Sequence, residues 1–318
     1  MTNSRRKFIR NSVLLSGAMG FKVPSDLIEE KHINQDDDRL VLLGTQGGPL
    51  IRSYKQTPSA NLIVYKKTPF VIDAGYGVTF KLREAGINLS TLKHIFITHH
   101  HSDHNLELGS LIYNAWIAGL ANPIHVYAPV GLKQLLKYYW KSNRIDIEMR
   151  IKDEGRPDIR KLVISHEIVE GIVLSNSNEE VSALKNIHPP FKESYAFKFK
   201  LGEKIIVFSG DTTYCPALTT FAYGADYLVH EIMDGPAVEE MAKRRPNATK
   251  LKESILSHHT LAEDVGRIAT AANAKNLVLN HFVPPDDKTL TEQFWIDAVS
   301  KKFLGNIIVG KDLLQLKL

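Results

Sequence analysis

The 318-residue chain has one cysteine, Cys215, so no intrachain disulfide can form, and the fold must rest on its core and on any metals it holds. Cys215 reads as a packed small side chain. No apolar run is long enough to cross a bilayer as a mature anchor; Val13 to Phe21 is too short. After about residue 40 no linker rich in proline, glycine or serine interrupts the pattern, which predicts one domain. Net charge is also missing from most of the chain. Arg5, Arg6, Lys7, Arg10 and Lys22 lie in residues 1–25, which contain no acidic residue. Removing those five from 40 basic residues leaves 35 against 35 acidic ones. This balance argues against a protein built around a polyanion, although a local patch can sit inside a neutral total. With 43% hydrophobic residues, there is enough apolar chain for a large core.

Ser4-Arg5-Arg6-Lys7-Phe8-Ile9-Arg10, followed by a weakly apolar stretch, resembles a twin-arginine export signal. The resemblance implies a signal segment over 1–25, cut near residues 20–25, an exported periplasmic protein, and a folded domain over 26–318. Without a working signal the protein would be cytoplasmic.

The rest of the chain runs twice through one pattern. Leu62–Tyr65 and Phe70–Ile72 flank a turn and end in Asp73; a helix from Val78 to Ala85 follows, then strand His94–Thr98. Ala196–Lys200 and Ile205–Phe208 repeat this and end in Asp211; strand Tyr227–Val229 then leads into His230-Glu231. Further strands are expected at Ile124–Tyr127, Val181–Ile187, Asn276–Leu279 and Asn306–Val309. Helices are expected at Asn105–Gly119, Val130–Lys141, Leu261–Ala272 and Glu292–Lys302, and a charged connection at Asp146–Asp158. Two such units packed sheet to sheet, with helices outside, give an α/β fold: a four-layer αββα sandwich.

Four of the 13 histidines crowd into His99-His100-His101-Ser102-Asp103-His104, between a buried-type strand and a helical stretch. Imidazole and carboxylate suit zinc and similar divalent metals. His99, His101 and His188 are candidates for one metal, Asp103, His104 and His281 for a second, and Asp211 for a bridge between them. Two such metals share a hydroxide and lower its water's pKa toward ~7. His100 and His230 alternate away from this face. His94, His125 and His166 read as core-edge or surface residues, and Tyr113 and Trp116 as either an apolar lip or core.

These residues resemble the metallo-β-lactamase superfamily. Thr98 to His104 carries H-x-H-x-D-H, and Asp73, His188, Asp211 in Ser-Gly-Asp-Thr and His281 in Leu-Asn-His-Phe match its other motifs in order over about residues 40–318. The resemblance implies the αββα fold and two divalent metal ions, usually Zn2+. Asp103 is counted among the catalytic as well as the metal-binding residues. Asp73 is expected behind the ligands, bonded to an imidazole or backbone amide. Glu231 and His259 are similar to the pair found in the branch that includes ribonuclease Z and the zinc-dependent arylsulfatases. The pair implies an imidazolium, held by a carboxylate, that protonates the leaving oxygen; His258 is the rival for that role. Ser194, before Tyr195, matches a substrate-contact position in that branch. The implied function is an exported dinuclear hydrolase of sulfate or phosphate esters acting on a small anionic substrate. The alternatives are a ribonuclease Z-type endonuclease of transfer RNA and a lactonase or β-lactamase. Nucleic acid is disfavoured as a partner, no mature membrane span is expected, and a homodimer is compatible with the chain.

Overall fold

Alternation along buried strands explains the layers. In β1 (Arg39–Gly44) Val41 and Leu43 point into one apolar cluster while Leu40 and Leu42 point into another. Every residue of β1 and of β2 (Ala60–Tyr65) is buried, so both faces of this sheet are covered. The structure is a computed structural model that describes residues 37–53, 55–285 and 287–318. The twin-arginine-type segment over 1–25 lies outside the described residues.

The chain continues through β3 (Thr68–Ile72), α1 (Val78–Glu84), β4 (His94–Phe96), α2 (Ser102–Asn105), α3 (Leu108–Ile117), β5 (Ile124–Ala128), α4 (Leu132–Ser142), α5 (Arg144–Glu154) and β6 (Val163–Glu167). It then forms β7 (Gly171–Ser175), β8 (Glu179–Lys185), β9 (Tyr195–Leu201), β10 (Lys204–Phe208), α6 (Ala217–Phe221), β11 (Tyr227–Met233), α7 (Gly235–Lys243), α8 (Leu251–His258), α9 (Ala262–Ala271), β12 (Asn276–Val283), α10 (Glu292–Ser300), β13 (Asn306–Val309) and β14 (Leu314–Lys317). Two seven-stranded sheets result, in the orders β14-β1-β2-β3-β4-β5-β6 and β13-β12-β11-β10-β9-β8-β7. Phe70, Phe96 and Tyr127 of the first meet Phe197, Phe199 and Phe208 of the second in a shared core. Helices α1, α3, α4 and α5 cover the outer face of the first sheet; α6, α9 and α10 cover that of the second. The layers are the αββα sandwich expected from the sequence.

Three local differences stand out, and one open alternative closes. The stretch read as a charged connection is mostly helix α5, because Arg150 pairs with Asp146 and Glu154 one turn to either side and Ile147 packs into the core. Strand β12 does not stop at Leu279 but continues to Val283 through a register shift. Strands β1, β6, β7 and β14 and helices α7 and α8 were not anticipated. Tyr113 and Trp116 form no lip: Trp116 is buried in the outer core with Tyr113 against it, and its indole N–H donates to Pro157 O at 2.8 Å. Among the described residues no helix is long and apolar enough to cross a membrane.

Candidate metal centre and the cavity above it

Parallel strands end together, and the candidate ligands gather at that edge. Asp73 follows β3, His99 and His101 follow β4, His188 follows β8, and Asp211 follows β10. Asp103 and His104 sit in the single turn of α2. His281 lies inside β12, where the ladder skips from Asn280 to Phe282 and the residue adopts a φ of 44°. One extra residue in the strand thus turns an imidazole toward the sheet edge.

Two constellations form around Asp211: His99, His101, His188 and Asp211, and Asp103, His104, Asp211 and His281, each with its ligand atoms within 4.8 Å of one another. His101 Nδ1 is 2.9 Å from His99 Nε2 and 3.0 Å from His188 Nε2. His104 Nε2 and His281 Nε2 are 3.2 Å apart, and each is 3.2 Å from Asp211 Oδ2. Burial pushes the His188 imidazole down to about 3 and His99 well below its ordinary value. These two rings are neutral and offer lone pairs, whereas Asp211 and its neighbouring carboxylates raise His104 and His281 against the opposing effect of burial. Asp211 is held well below the usual carboxylate range, chiefly by His104 and His281 against the opposing effect of burial. Two buried carboxylates amid five converging imidazoles are a donor set that divalent cations satisfy.

The remote nitrogens are tied down. Thr98 Oγ1 lies 3.0 Å from His99 Nδ1, and His104 Nδ1 donates to Asp73 Oδ2 at 2.8 Å. Asp73 also accepts from Thr98 N–H at 2.8 Å, so the carboxylate sits behind the ligands. His188 Nδ1 donates to the carbonyl of His258 at 3.0 Å, which gives the backbone of His258 an orienting role. Gly48 N–H donates to Asp103 Oδ2 at 2.9 Å, bringing the loop after β1 over the site. Neither Thr98 nor Gly48 was singled out in the sequence; Thr98 opens the histidine motif and Gly48 belongs to a Gln-Gly-Gly-Pro turn.

Glu231 has two tasks. Its Oε1 accepts from Thr212 N–H at 3.0 Å and Thr260 N–H at 3.1 Å, fixing the residues after Asp211 and after His259. Its Oε2 meets His259 Nδ1 at 3.2 Å. The structure thus pairs His259, rather than His258, with the carboxylate. Burial pushes His259 down to about 4, and burial together with the charge of Asp211 raises Glu231. The buried pair therefore favours neutral partners rather than the imidazolium anticipated from the sequence. A proton held on Glu231 at Nδ1 still leaves Nε2–H as the donor.

Other assignments move. Ser194 is fully buried and is not on the cavity wall, because its backbone bonds to Asn186 and holds it at the start of β9. The substrate contact expected of it does not follow. His100 faces the carbonyls of Pro129 and Val130, away from the ligands, and His230 bonds to the carbonyl of Glu231. Cys215 is buried, and burial pushes its thiol up.

A cavity of about 470 Å³ opens above the ligands, with His101, Asp103, Asp211, His258 and His259 at its floor. Leu50, Met241, Leu251, Ile255, Val283 and Pro284 give it apolar walls, and Arg52 and Arg245 line it too. Helices α7 and α8, unseen in the sequence, build one side.

A family model described as "Anti-Pycsar protein Apyc1" matches residues 39–239, more than half of the chain. The chain belongs to this family. The Apyc1-family match takes in His99 through Glu231 and stops before His259 and His281. The chain is 27% identical to ribonuclease Z of Mycobacterium bovis (strain BCG / Pasteur 1173P2) over 277 residues, 86% of this chain and 96% of that protein. Among solved structures, the metallo-β-lactamase fold protein YhfI from Bacillus subtilis superposes with a TM-score of 0.65 at 18% identity, over 89% of this chain and all of that one. The human short-form tRNase Z does so at 0.63 and 19% identity, over 88% and 98%. Fold and site make the chain a metallo-hydrolase of the metallo-β-lactamase superfamily.

Proposed function

We propose that this protein is a phosphodiesterase with two divalent cations, zinc by the chemistry of its donors, acting on a small, nucleotide-sized phosphodiester. The observation that carries the reading is the cavity: ligand atoms at the floor, apolar walls, and the arginines Arg52 and Arg245 beside them. A floor of cations takes a phosphoryl group, and walls of this kind take a ring. Within the sulfate-or-phosphate pair implied by the motifs, relatives named for cleaving RNA favour phosphate.

When bound, divalent cations supply Lewis-acid charge for the phosphoryl oxygens and a low pKa for an attacking water. The chain's own residues do the rest. Asp211 fixes the spacing of the two constellations. Asp73 and Thr98 hold the ring planes of His104 and His99. His259 delivers a proton from Nε2 to the departing oxygen while its Nδ1 takes up the proton held on Glu231, so the imidazole ends neutral and Glu231 ends as the carboxylate.

Ribonuclease Z activity is the second reading, favoured by relatives of that name that match over nearly their whole length. One experiment separates the two. Purified full-length protein loaded with zinc is analysed for metal content. It is then assayed on bis-p-nitrophenyl phosphate, p-nitrophenyl sulfate, a cyclic mononucleotide, a transfer RNA precursor and a cephalosporin. Two zinc ions per chain and turnover of the small diesters are expected. Cleavage of the precursor alone would move the assignment to ribonuclease Z, and turnover of the sulfate or cephalosporin alone would sink both.

A further inference from the structure

The formally neutral body of the chain hides a basic groove. It has a volume of about 440 Å³ and is lined by Lys133, Lys137, Lys141, Arg144 and Arg160 around Trp140, with no carboxylate in its lining. Lys133, Lys137 and Lys141 recur every fourth residue on α4, so they stand in a row about 12 Å long on one helix face. None of the three forms an ion pair among the described residues. Arg160 pairs with Asp158 at 2.8 Å, and Arg144 reaches Glu148 only at 3.7 Å across exposed surface. A row of lysines with a single carboxylate, Glu167, acting on its first member alone raises the energy of the free protein and is relieved by a partner carrying a row of negative charge.

The row begins at the metal-bearing edge. Glu167, at the end of β6, accepts from the backbone N–H groups of Gly131 and Lys133, and His100, between two candidate ligands, contacts the carbonyls of Pro129 and Val130 just before them. From there α4 leads away from the edge toward Lys141 and Arg144.

We propose that this groove is a binding site for single-stranded nucleic acid, whose phosphates follow the α4 lysines while a base stacks at Trp140. A concave basic track with an aromatic ring in it suits a strand better than a flat membrane surface, and 12 Å spans roughly three to four stacked nucleotides. Binding here does not depend on the proposed hydrolysis. Cleavage of a strand held here would rest on that reading.

The test is fluorescence anisotropy of the metal-loaded full-length protein with a labelled 12-nucleotide RNA, as a function of salt. Poly-glutamate and phosphatidylserine vesicles serve as rival anions. Combined Lys133→Gln, Lys137→Gln and Lys141→Gln should weaken RNA binding at least tenfold at low salt. They should lower the slope of log affinity against log salt by about 2, at roughly 0.7 per phosphate contact. Hydrolysis of bis-p-nitrophenyl phosphate should not change. RNA affinity that is undetectable, or untouched by the triple variant, overturns the proposal, as does equal binding of poly-glutamate or vesicles through the same lysines. Absence of diester hydrolysis, with lysine-dependent RNA binding intact, sinks the proposed function and leaves the groove standing.

Discussion

His259 is the residue whose chemistry is most open to direct measurement. It is buried, bonded through Nδ1 to Glu231, and part of the cavity floor. A general acid matters in proportion to how badly the leaving oxygen needs a proton. His259→Ala should therefore slow a nucleoside phosphodiester about 10²-fold or more, while bis-p-nitrophenyl phosphate, whose phenolate leaves unaided, should lose less than about tenfold. Equal losses in kcat on both substrates would remove the proton-donor role. This residue was legible in sequence because it lies among motif residues. Ser194 was not, because burial cannot be read from a local match. The preference of the Glu231–His259 pair for neutral partners was also hidden, since it depends on how deeply both groups are buried.

At the scale of elements, the long loop between β1 and β2 is the part most dependent on distant chain. Asp312 accepts from Thr45 N–H at 3.0 Å and Thr57 N–H at 2.9 Å, from both threonine hydroxyls, and pairs with Lys81 Nζ at 3.2 Å. This one carboxylate pins both ends of the loop that carries Gly48 to Asp103. Asp312→Ala leaves buried donors and a buried ammonium without their partner, at a cost of about 3 kcal/mol or more. Denaturant unfolding should register that loss, and metal affinity should fall with it. An unchanged midpoint would show that the loop holds itself. Strands β2, β3, β10 and β12 were legible from their apolar runs and turn residues. Helices α7 and α8 were not: they are only nine and eight residues long, and α8 buries only His258, so neither offers a long apolar stripe. Strand β1, buried on both faces like β2, escaped because no hairpin turn adjoins it: a long loop separates it from β2, and its other neighbour, β14, is at the far end of the chain. The basic groove escaped because a count of charges carries no position.

For the molecule as a whole, acid is the informative stress. His94 is buried between the sheets, stacked on Phe70 with ring centroids 5.2 Å apart. Burial, then Lys93, His125 and His166, pushes it down to about 3. The unfolded chain binds this proton near pH 6.5 and the folded one does not, so the unfolded state carries more protons in between. Stability is thus full above about pH 6.5 and falls as the pH drops toward 3. His94→Phe should flatten that acid limb while leaving the midpoint at pH 8 nearly unchanged. Parallel curves for the variant and the parent between pH 7 and 4.5 would refute the assignment.

Each metal constellation draws two groups from the chain before β7 and two from the chain after it. A cation held there acts as a rivet through a seam: it can be gripped only when both leaves of the sandwich are in register, and its capture resists their sliding apart. Chelating any cations bound there would do more than silence chemistry, because it would take metal cross-links from a chain whose solitary thiol can form no intrachain disulfide.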